Sequence, residues 1–144
     1  MRTPFGKALG DTGRVMPDSN AELVRSALDR FNETGAPAWD LCAPDLIFTT
    51  RGDLEGTASF HGHEGFAQAL EHFHKVWGRI RFEVVEIAGN DPLVALLRIG
   101  LQGRESGVPV SVDEAWAVWF RDGKMSRIEQ HATKPEALKA AGLE

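Results

Sequence analysis

Apolar residues recur every three to four positions near the start of the chain, a spacing that predicts an amphipathic helix. Ser19 and Glu22 form the capping-box pattern that begins a helix, and Gly35 is a suitable residue to end it. One further short helical turn is predicted at residues 38–42, after Pro37. The apolar stripe of the first helix consists of Val24, Ala27, Leu28 and Phe31.

Two more helices are predicted further along the chain. Residues 64–77 show helical spacing of apolar residues, and Gly78 would end that helix. Near the carboxyl terminus, Thr133 and Glu136 repeat the capping-box pattern, and Gly142 closes the terminal helix. The apolar stripe of the helix over residues 64–77 consists of Phe66, Leu70, Phe73 and Trp77.

The remaining segments are rich in β-branched and aromatic residues, which is typical of strands. The first strand is predicted at residues 45–51, and residues 52–62 are interpreted as a loop. A run of four more strands, joined by turns, is predicted at residues 80–87, 93–104, 108–121 and 124–132. Because helices come first and a run of strands follows, we predict an α+β fold with helices packed on one face of a curved sheet.

The length of 144 residues fits one domain with a single core. Residues 1–17 contain glycines and prolines without periodicity, so we predict an irregular arm there and one domain over residues 18–144. No stretch reaches the ~18–20 apolar residues of a membrane span, and the first residues lack the apolar segment of a signal peptide. We therefore expect a cytoplasmic protein without a membrane partner.

Charge and metal-ligand chemistry exclude several functions. The formal net charge of −5 argues against a nucleic-acid partner. Cys42 is the single cysteine, which excludes an internal disulfide and any multi-thiolate metal site, and we interpret it as buried and unreactive. His72 and His74 point in different directions on the predicted helix, and His61 and His63 lack a third ligand at a defined spacing. We expect no metal and no cofactor.

One carboxyl group stands on an otherwise apolar strand face. Side-chain alternation along residues 108–121 places the even-numbered residues on the core face, and Glu114 interrupts that face. A carboxyl group there is costly unless it is paired, protonated or directed into a cavity, so Glu114 is a candidate acid or base. Two alternatives stay open: an ion pair with an arginine such as Arg98, or a bulge that turns Glu114 to solvent.

The last predicted strand carries a second candidate pair. Alternation puts Glu129 and His131 on one face, together with Met125 and Arg127. A carboxylate beside an imidazole suits proton transfer. A solvated or dimer-facing row of side chains explains the same pattern equally well.

Five short segments follow one another in a distinctive order. They are Phe-Asn-Glu-Thr-Gly at 31–35, Pro-Asp-Leu-Ile-Phe at 44–48, Phe-His-Gly at 60–62, Ala-Val-Trp-Phe-Arg-Asp-Gly-Lys at 117–124 and Pro-Glu-Ala-Leu-Lys-Ala-Ala-Gly-Leu at 135–143. Over about residues 19–143, this order resembles the nuclear-transport-factor-2-like superfamily and, within it, the SnoaL-like branch. The resemblance implies a cone-shaped barrel, in which a strongly curved antiparallel or mixed sheet and about three helices enclose an apolar pocket. It also implies a short C-terminal helix and a homodimer formed through the outer face of the sheet.

Three catalytic sets of that superfamily are missing here. Ketosteroid isomerases have a base aspartate where this chain has Thr50, and the chain has no tyrosine for their oxyanion hole. Trp116 stands where those isomerases have an acid and the polyketide cyclases have a histidine. Of the Arg-x-Asp motif of limonene-epoxide hydrolases only Arg98 is present, and their late aspartate matches Gln130.

The resemblance nevertheless orients the sheet. Positions matching Thr50, Trp116 and Gln130 line the pocket in those relatives, which turns Glu114 into the pocket as well. We predict that Glu114 is a general acid or base and that the apolar surroundings favour its neutral form. Gln130 would hydrogen-bond a substrate oxygen, and Trp116 would pack on the substrate. The other predicted pocket residues are Phe48, Thr50, Val112, Val118, Ile128, Trp39 and Phe73.

These residues favour a small-molecule pocket protein. Its concrete form is an isomerase, cyclase or dehydratase that acts on a hydrophobic, polyketide- or terpenoid-like substrate without a cofactor. The alternative is a non-catalytic ligand-binding or dimerisation module. A cavity well under the ~300 Å³ of ordinary ligand sites would exclude catalysis on a substrate of that size.

Overall fold

A computed structural model describes residues 19–51 and 58–144, and the predicted arm at residues 1–17 lies outside them. The helices are α1 (Asn20–Thr34), α2 (Gly62–His74) and α3 (Lys134–Ala141), with a 3-10 turn at Trp39–Leu41. The strands are β1 (Cys42–Thr49), β2 (Ser59–His61), β3 (Trp77–Gly89), β4 (Leu93–Gly103), β5 (Pro109–Arg121) and β6 (Lys124–His131).

The first and last helices begin and end where local chemistry predicts. The Ser19 hydroxyl accepts a hydrogen bond from the backbone N–H of Glu22, and Thr133 does the same for Glu136. Gly35 and Gly142 follow the two helices with φ of +77° and +73°, a left-handed conformation that glycine adopts without strain. Both predicted helices are confirmed.

Tertiary contacts end α2 earlier than the sequence predicts. The sequence predicted a helix through Trp77, but α2 ends at His74 and Trp77 begins β3, opposite Gly103. The Arg104 guanidinium donates to the His74 carbonyl (2.7 Å), and the Arg104 backbone N–H donates to the Val76 carbonyl (3.0 Å). The end of the β3–β4 hairpin therefore binds the carbonyl groups that another helical turn would need. The prediction that Gly78 ends the helix is wrong.

Two further differences concern short segments. Residues 52–62, predicted as a loop, contain the three-residue strand β2, which pairs with the end of β1. The predicted short helix at residues 38–42 is the 3-10 turn Trp39–Leu41, because β1 already begins at Cys42. Segments this short carry too few residues for a periodic pattern to be read.

The six strands form one sheet in the order β2-β1-β6-β5-β4-β3. All neighbours are antiparallel except β1 and β6, which run parallel. Irregularities in the register of β3 and of the β5–β6 pair introduce bulges, which bend a sheet. In the described part of the chain, the result is a curved sheet that ends at β2 and β3 and does not close on itself.

Helices occupy both faces of the curved sheet, so the prediction that they pack on one face is wrong for α3. The main core lies between the sheet and the helices α1 and α2. On the opposite face, α3 packs against β4 and β5, where Ala137 contacts a small cluster with Val94, Ala115 and Ala117. That part of the outer face is therefore unavailable for the predicted homodimer. None of the helices in residues 19–51 and 58–144 combines the length and apolar character needed to cross a membrane.

Candidate functional site

A cavity of about 540 Å³ lies between the concave face of the sheet and the helices α1 and α2. Its volume is within the range of ordinary small-molecule sites. Among the described residues, eight phenylalanine and tryptophan side chains contribute to its wall, and Val76, which is 59% exposed, lies at its rim. The aromatic residues are Phe31, Phe48, Phe60, Phe66, Phe73, Trp77, Phe82 and Trp116.

Nine of the ten predicted pocket residues line this cavity: Phe48, Thr50, Phe73, Val112, Glu114, Trp116, Val118, Ile128 and Gln130. The tenth, Trp39, lies behind the wall. Its ring contacts His63 at a centroid distance of 4.8 Å and Phe66 at 5.8 Å. Trp39 therefore supports a cavity residue and does not face the cavity.

Glu114 lies in the cavity wall with its side chain 11% exposed and both carboxylate oxygens occupied. Oε2 accepts a hydrogen bond from Arg51 Nη1 (3.1 Å), and Oε1 accepts one from Trp116 Nε1 (3.0 Å). The two contacts place a guanidinium and an indole N–H beside the carboxyl group in an otherwise largely aromatic wall. Of the alternatives left open for Glu114, an ion pair with an arginine is present, and the carboxyl group also lies in the cavity wall.

Arg51 is the site residue that sequence analysis missed. Alternation from Phe48 and Thr50 predicts the outer face for position 51. Strand β1 ends at Thr49, so the alternation no longer applies, and the Arg51 side chain reaches the cavity and Glu114. The arginine suggested from sequence, Arg98, instead pairs with Asp113 at 3.1 Å, and both of these side chains are exposed.

Gln130 and Thr50 present different polar groups to the cavity. Gln130 is 7% exposed, and no hydrogen bond joins its amide to another residue of the described part of the chain. It lies opposite Trp116 in the β5–β6 register, so the two side chains are neighbours on the concave face. The Thr50 hydroxyl is already engaged with the backbone of Ala58, donating to its carbonyl and accepting from its N–H. Of the two groups, the Gln130 amide is the one available to a ligand.

The aromatic side chains form a continuous series of ring contacts across the cavity wall. Phe82 packs edge-to-face on Phe31 (5.3 Å between centroids) and on Trp116 (5.4 Å). Phe48 packs on Trp116 at 6.2 Å and stacks on Phe66 at 4.8 Å. Edge-to-face and offset pairs of this kind are favourable beyond the area they bury. They hold Trp116, the donor to Glu114, from two sides.

The sequence-based interpretation of Cys42 fits its surroundings. The side chain is buried, and this burial raises the pKa of the thiol to about 11, with Asp40 adding to the shift. The thiol therefore stays protonated near neutral pH, where only a thiolate would act as a nucleophile.

We expect Cys42 to make stability fall more steeply in alkaline solution. The reference thiol titrates near 9.0 and the folded thiol near 11, so the folded state holds its proton more tightly. The stability that this tighter proton binding contributes to the folded state is fully present below about pH 9 and is lost as the pH rises through 11. Urea denaturation of the wild type and of Cys42→Ala between pH 8 and 11 checks this. As the pH rises, the free energy of unfolding of the wild type should fall relative to that of Cys42→Ala. Parallel curves for the two proteins would contradict the burial of the thiol.

Of the other polar candidates, His72 lines the cavity, whereas Glu129, His131 and His63 do not. Glu129 pairs with Arg127 at 2.6 Å and with His131 Nε2 at 3.2 Å on the outer face of β6. Met125 does not share that face, since a bulge near the β5–β6 turn directs it into the main core. His63 is hydrogen-bonded to the Cys42 carbonyl. No cluster of three or more potential metal ligands occurs in the described residues.

Comparison with protein families places most of the described chain in one of them. The family model for the SnoaL-like domain matches residues 24–128. None of the functionally curated proteins matches the sequence significantly.

Solved structures with this fold share little sequence with the chain. A nuclear-transport-factor-2-like protein of unknown function from Burkholderia pseudomallei is 19% identical, with a TM-score of 0.68 over 85% of this chain and 96% of its own. TerC, crystallised with polyporic acid, is 21% identical, with a TM-score of 0.66 over 85% of this chain and 96% of its own. A protein from Jannaschia sp. CCS1 titled as a SnoaL-like polyketide cyclase is 17% identical, with a TM-score of 0.65 over 93% and 98%. At these identities the likeness shows the fold alone.

Proposed function

The chain belongs to the SnoaL-like domain family, and from that membership we propose that it binds a small hydrophobic molecule in its cavity and transfers a proton through Glu114. The observation that carries this proposal is a carboxylate, 11% exposed, in the wall of an aromatic cavity of about 540 Å³. A charged group is kept in such surroundings at a cost in folding free energy, which favours a functional role.

Glu114 acts as the base in this proposal. Arg51 and Trp116 hold its two oxygens, so its orientation towards the cavity is defined before a ligand enters. To accept a proton, the carboxylate presents a remaining lone pair or exchanges one of these contacts. Proton abstraction of this kind suits an isomerisation, a dehydration or a cyclisation.

Gln130 and Trp116 orient the molecule. The Gln130 amide donates a hydrogen bond to an oxygen of the ligand, because it has no partner among the described residues and lies beside Trp116 on the concave face. The rings of Phe82 and Trp116 provide apolar contact area for the body of the ligand. The Jannaschia protein is described as a SnoaL-like polyketide cyclase, which supports a polyketide-like ligand, with a terpenoid-like one as the second candidate.

The test uses the molecule that the protein itself retains. Mass spectrometry of an organic extract of the purified protein identifies the bound molecule, and turnover of that molecule is then followed with the wild type and with Glu114→Gln. We expect binding to change by less than about threefold, because the amide keeps the size of the side chain. Turnover is expected to fall by about 10²–10⁴-fold, the usual contribution of a positioned base.

The matched control is Glu129→Gln. Glu129 is also a strand carboxylate paired with an arginine, but it lies on the outer face of the sheet. Its substitution should leave turnover unchanged. Equal turnover in the wild type and in Glu114→Gln would contradict the proposed base.

A specific observation favours the alternative of a non-catalytic ligand-binding module. Both oxygens of Glu114 are already hydrogen-bonded, as in an ion pair that only supports the fold. In that case, Glu114→Gln lowers the free energy of unfolding, and the retained molecule is bound but never converted. The homodimer through the outer sheet face stays a prediction, restricted to the surface that α3 leaves uncovered.

A further inference from the structure

We propose that Asn32, on α1 and outside the cavity wall, is a positioning residue for the Glu114 carboxylate. The inference rests on the proposed function only in that it concerns the same carboxylate. The Asn32 amide makes two hydrogen bonds to one residue of β3: Nδ2 donates to the Phe82 carbonyl (2.8 Å), and Oδ1 accepts from the Phe82 backbone N–H (2.8 Å).

These two hydrogen bonds take the place of those that a neighbouring strand would make to Phe82. Within residues 19–51 and 58–144, β3 is an edge of the sheet, so no strand of that part of the chain lies beside its outward N–H and carbonyl groups. The Asn32 amide offers a donor and an acceptor to both groups of Phe82, as a paired strand would. The middle of β3 is thereby fixed to α1 at a defined distance.

The position of Phe82 determines how Trp116 is held. The Phe82 ring faces the cavity and packs edge-to-face on Phe31, which is next to Asn32 in α1, and on Trp116. Trp116 Nε1 in turn donates to Glu114 Oε1 at 3.0 Å. A path of direct contacts thus leads from Asn32 through Phe82 and Trp116 to the carboxylate.

Local helix chemistry does not explain an asparagine at this position. Asn32 lies within the last turn of α1, and the helix is capped by the backbone N–H of Gly35, which donates to the Phe31 carbonyl. Asparagine is a poor residue for a helix interior because its side chain competes for backbone hydrogen bonds. The contact with β3 accounts for its presence.

The chain provides a matched control in Asn20, at the other end of the same helix. Asn20 Nδ2 also donates to a backbone carbonyl of the sheet, that of Asn90 in the β3–β4 turn (3.1 Å). Asn20 is not among the cavity-lining residues. Asn20→Ala therefore removes a tether between α1 and the sheet without touching the path to Glu114.

The test compares Asn32→Ala with Asn20→Ala by nuclear magnetic resonance of the indole N–H groups. The chain has four tryptophans, and Trp116→Phe assigns the signal of interest. In Asn32→Ala we expect the Trp116 indole signal to move and its hydrogen exchange to accelerate at least tenfold. In Asn20→Ala both should stay as in the wild type, although thermal denaturation registers the lost tether in each variant.

Asn32→Asp provides a second measurement if the alanine variant does not fold. The carboxylate keeps an acceptor for the Phe82 N–H but sets an acceptor oxygen against the Phe82 carbonyl, so the Trp116 signal is again expected to move. A Trp116 signal that responds no more to either Asn32 variant than to Asn20→Ala overturns the positioning role. If the signal responds but Glu114→Gln retains full turnover, positioning by Asn32 stands and the proposed base is wrong.

Discussion

Replacing Arg51 with methionine is expected to lower the free energy of unfolding by about 2–3 kcal/mol at neutral pH. Methionine keeps much of the apolar stem but removes the charge, so that among the described residues Trp116 is the donor that remains for the Glu114 carboxylate. Breaking a buried ion pair by removing one partner costs about 3–5 kcal/mol. The Arg51 side chain is 23% exposed, so we expect a smaller loss than for a fully buried pair. Urea denaturation at pH 7 measures it.

A double-mutant cycle assigns this loss to the pair. Arg51 has a further interaction besides that with Glu114, so the single variant alone overstates the contribution of the pair. Adding Glu114→Gln to Arg51→Met removes the unpaired charge, and most of the lost stability should return. Arg98→Met is the control, because the Arg98–Asp113 pair is exposed and should contribute little. A loss in Arg51→Met no greater than in Arg98→Met would show that Glu114 does not depend on its arginine.

Leu46→Ala is expected to lower the free energy of unfolding by about 2–5 kcal/mol, the usual cost of removing a buried leucine side chain. Leu46 is 0% exposed, lies in the main core and does not line the cavity. Its removal opens a new void among packed side chains. Chemical denaturation measures the loss, and the affinity for the fluorescent apolar probe 1-anilinonaphthalene-8-sulfonate should change less than twofold.

Leu28→Ala is the comparison for that substitution, because Leu28 is buried and lines the existing cavity. Its removal enlarges a space that is already present, so less new void opens among packed side chains. We expect a smaller loss of stability and a clear change in probe affinity. The opposite ranking, with Leu46→Ala altering probe binding more than Leu28→Ala, would mean that the probe does not bind in this cavity.

The helices that sequence analysis predicted correctly are those whose ends depend on nearby residues. Ser19 and Thr133 begin α1 and α3 through hydrogen bonds that span three positions. The end of α2 depends instead on Arg104, thirty positions after His74. No local pattern predicts a contact between residues so far apart in the sequence. The prediction therefore followed the apolar spacing and extended the helix to Trp77.

The same distinction between local and distant contacts applies to the candidate site. Alternation along β5 and the family resemblance both directed Glu114 inward, and it lies in the cavity wall. The partner of Glu114 could not be read in this way, since Arg51 is 63 positions away and lies beyond the regular part of β1. The role that we infer for Asn32 depends on β3 being a sheet edge, and the order of strands in space is not written in their order along the chain.

The periodic and local features could be predicted from the sequence alone: the capped helices, the strand faces, the α+β class and a carboxyl group among apolar neighbours. These follow from interactions between residues a few positions apart and from the burial of one face of each element. Only the tertiary structure decided the parallel pairing of β1 with β6, the volume of the cavity and the two partners of Glu114. Those depend on how distant segments meet in space, because a hydrogen bond or an ion pair requires its atoms within about 3 Å of each other.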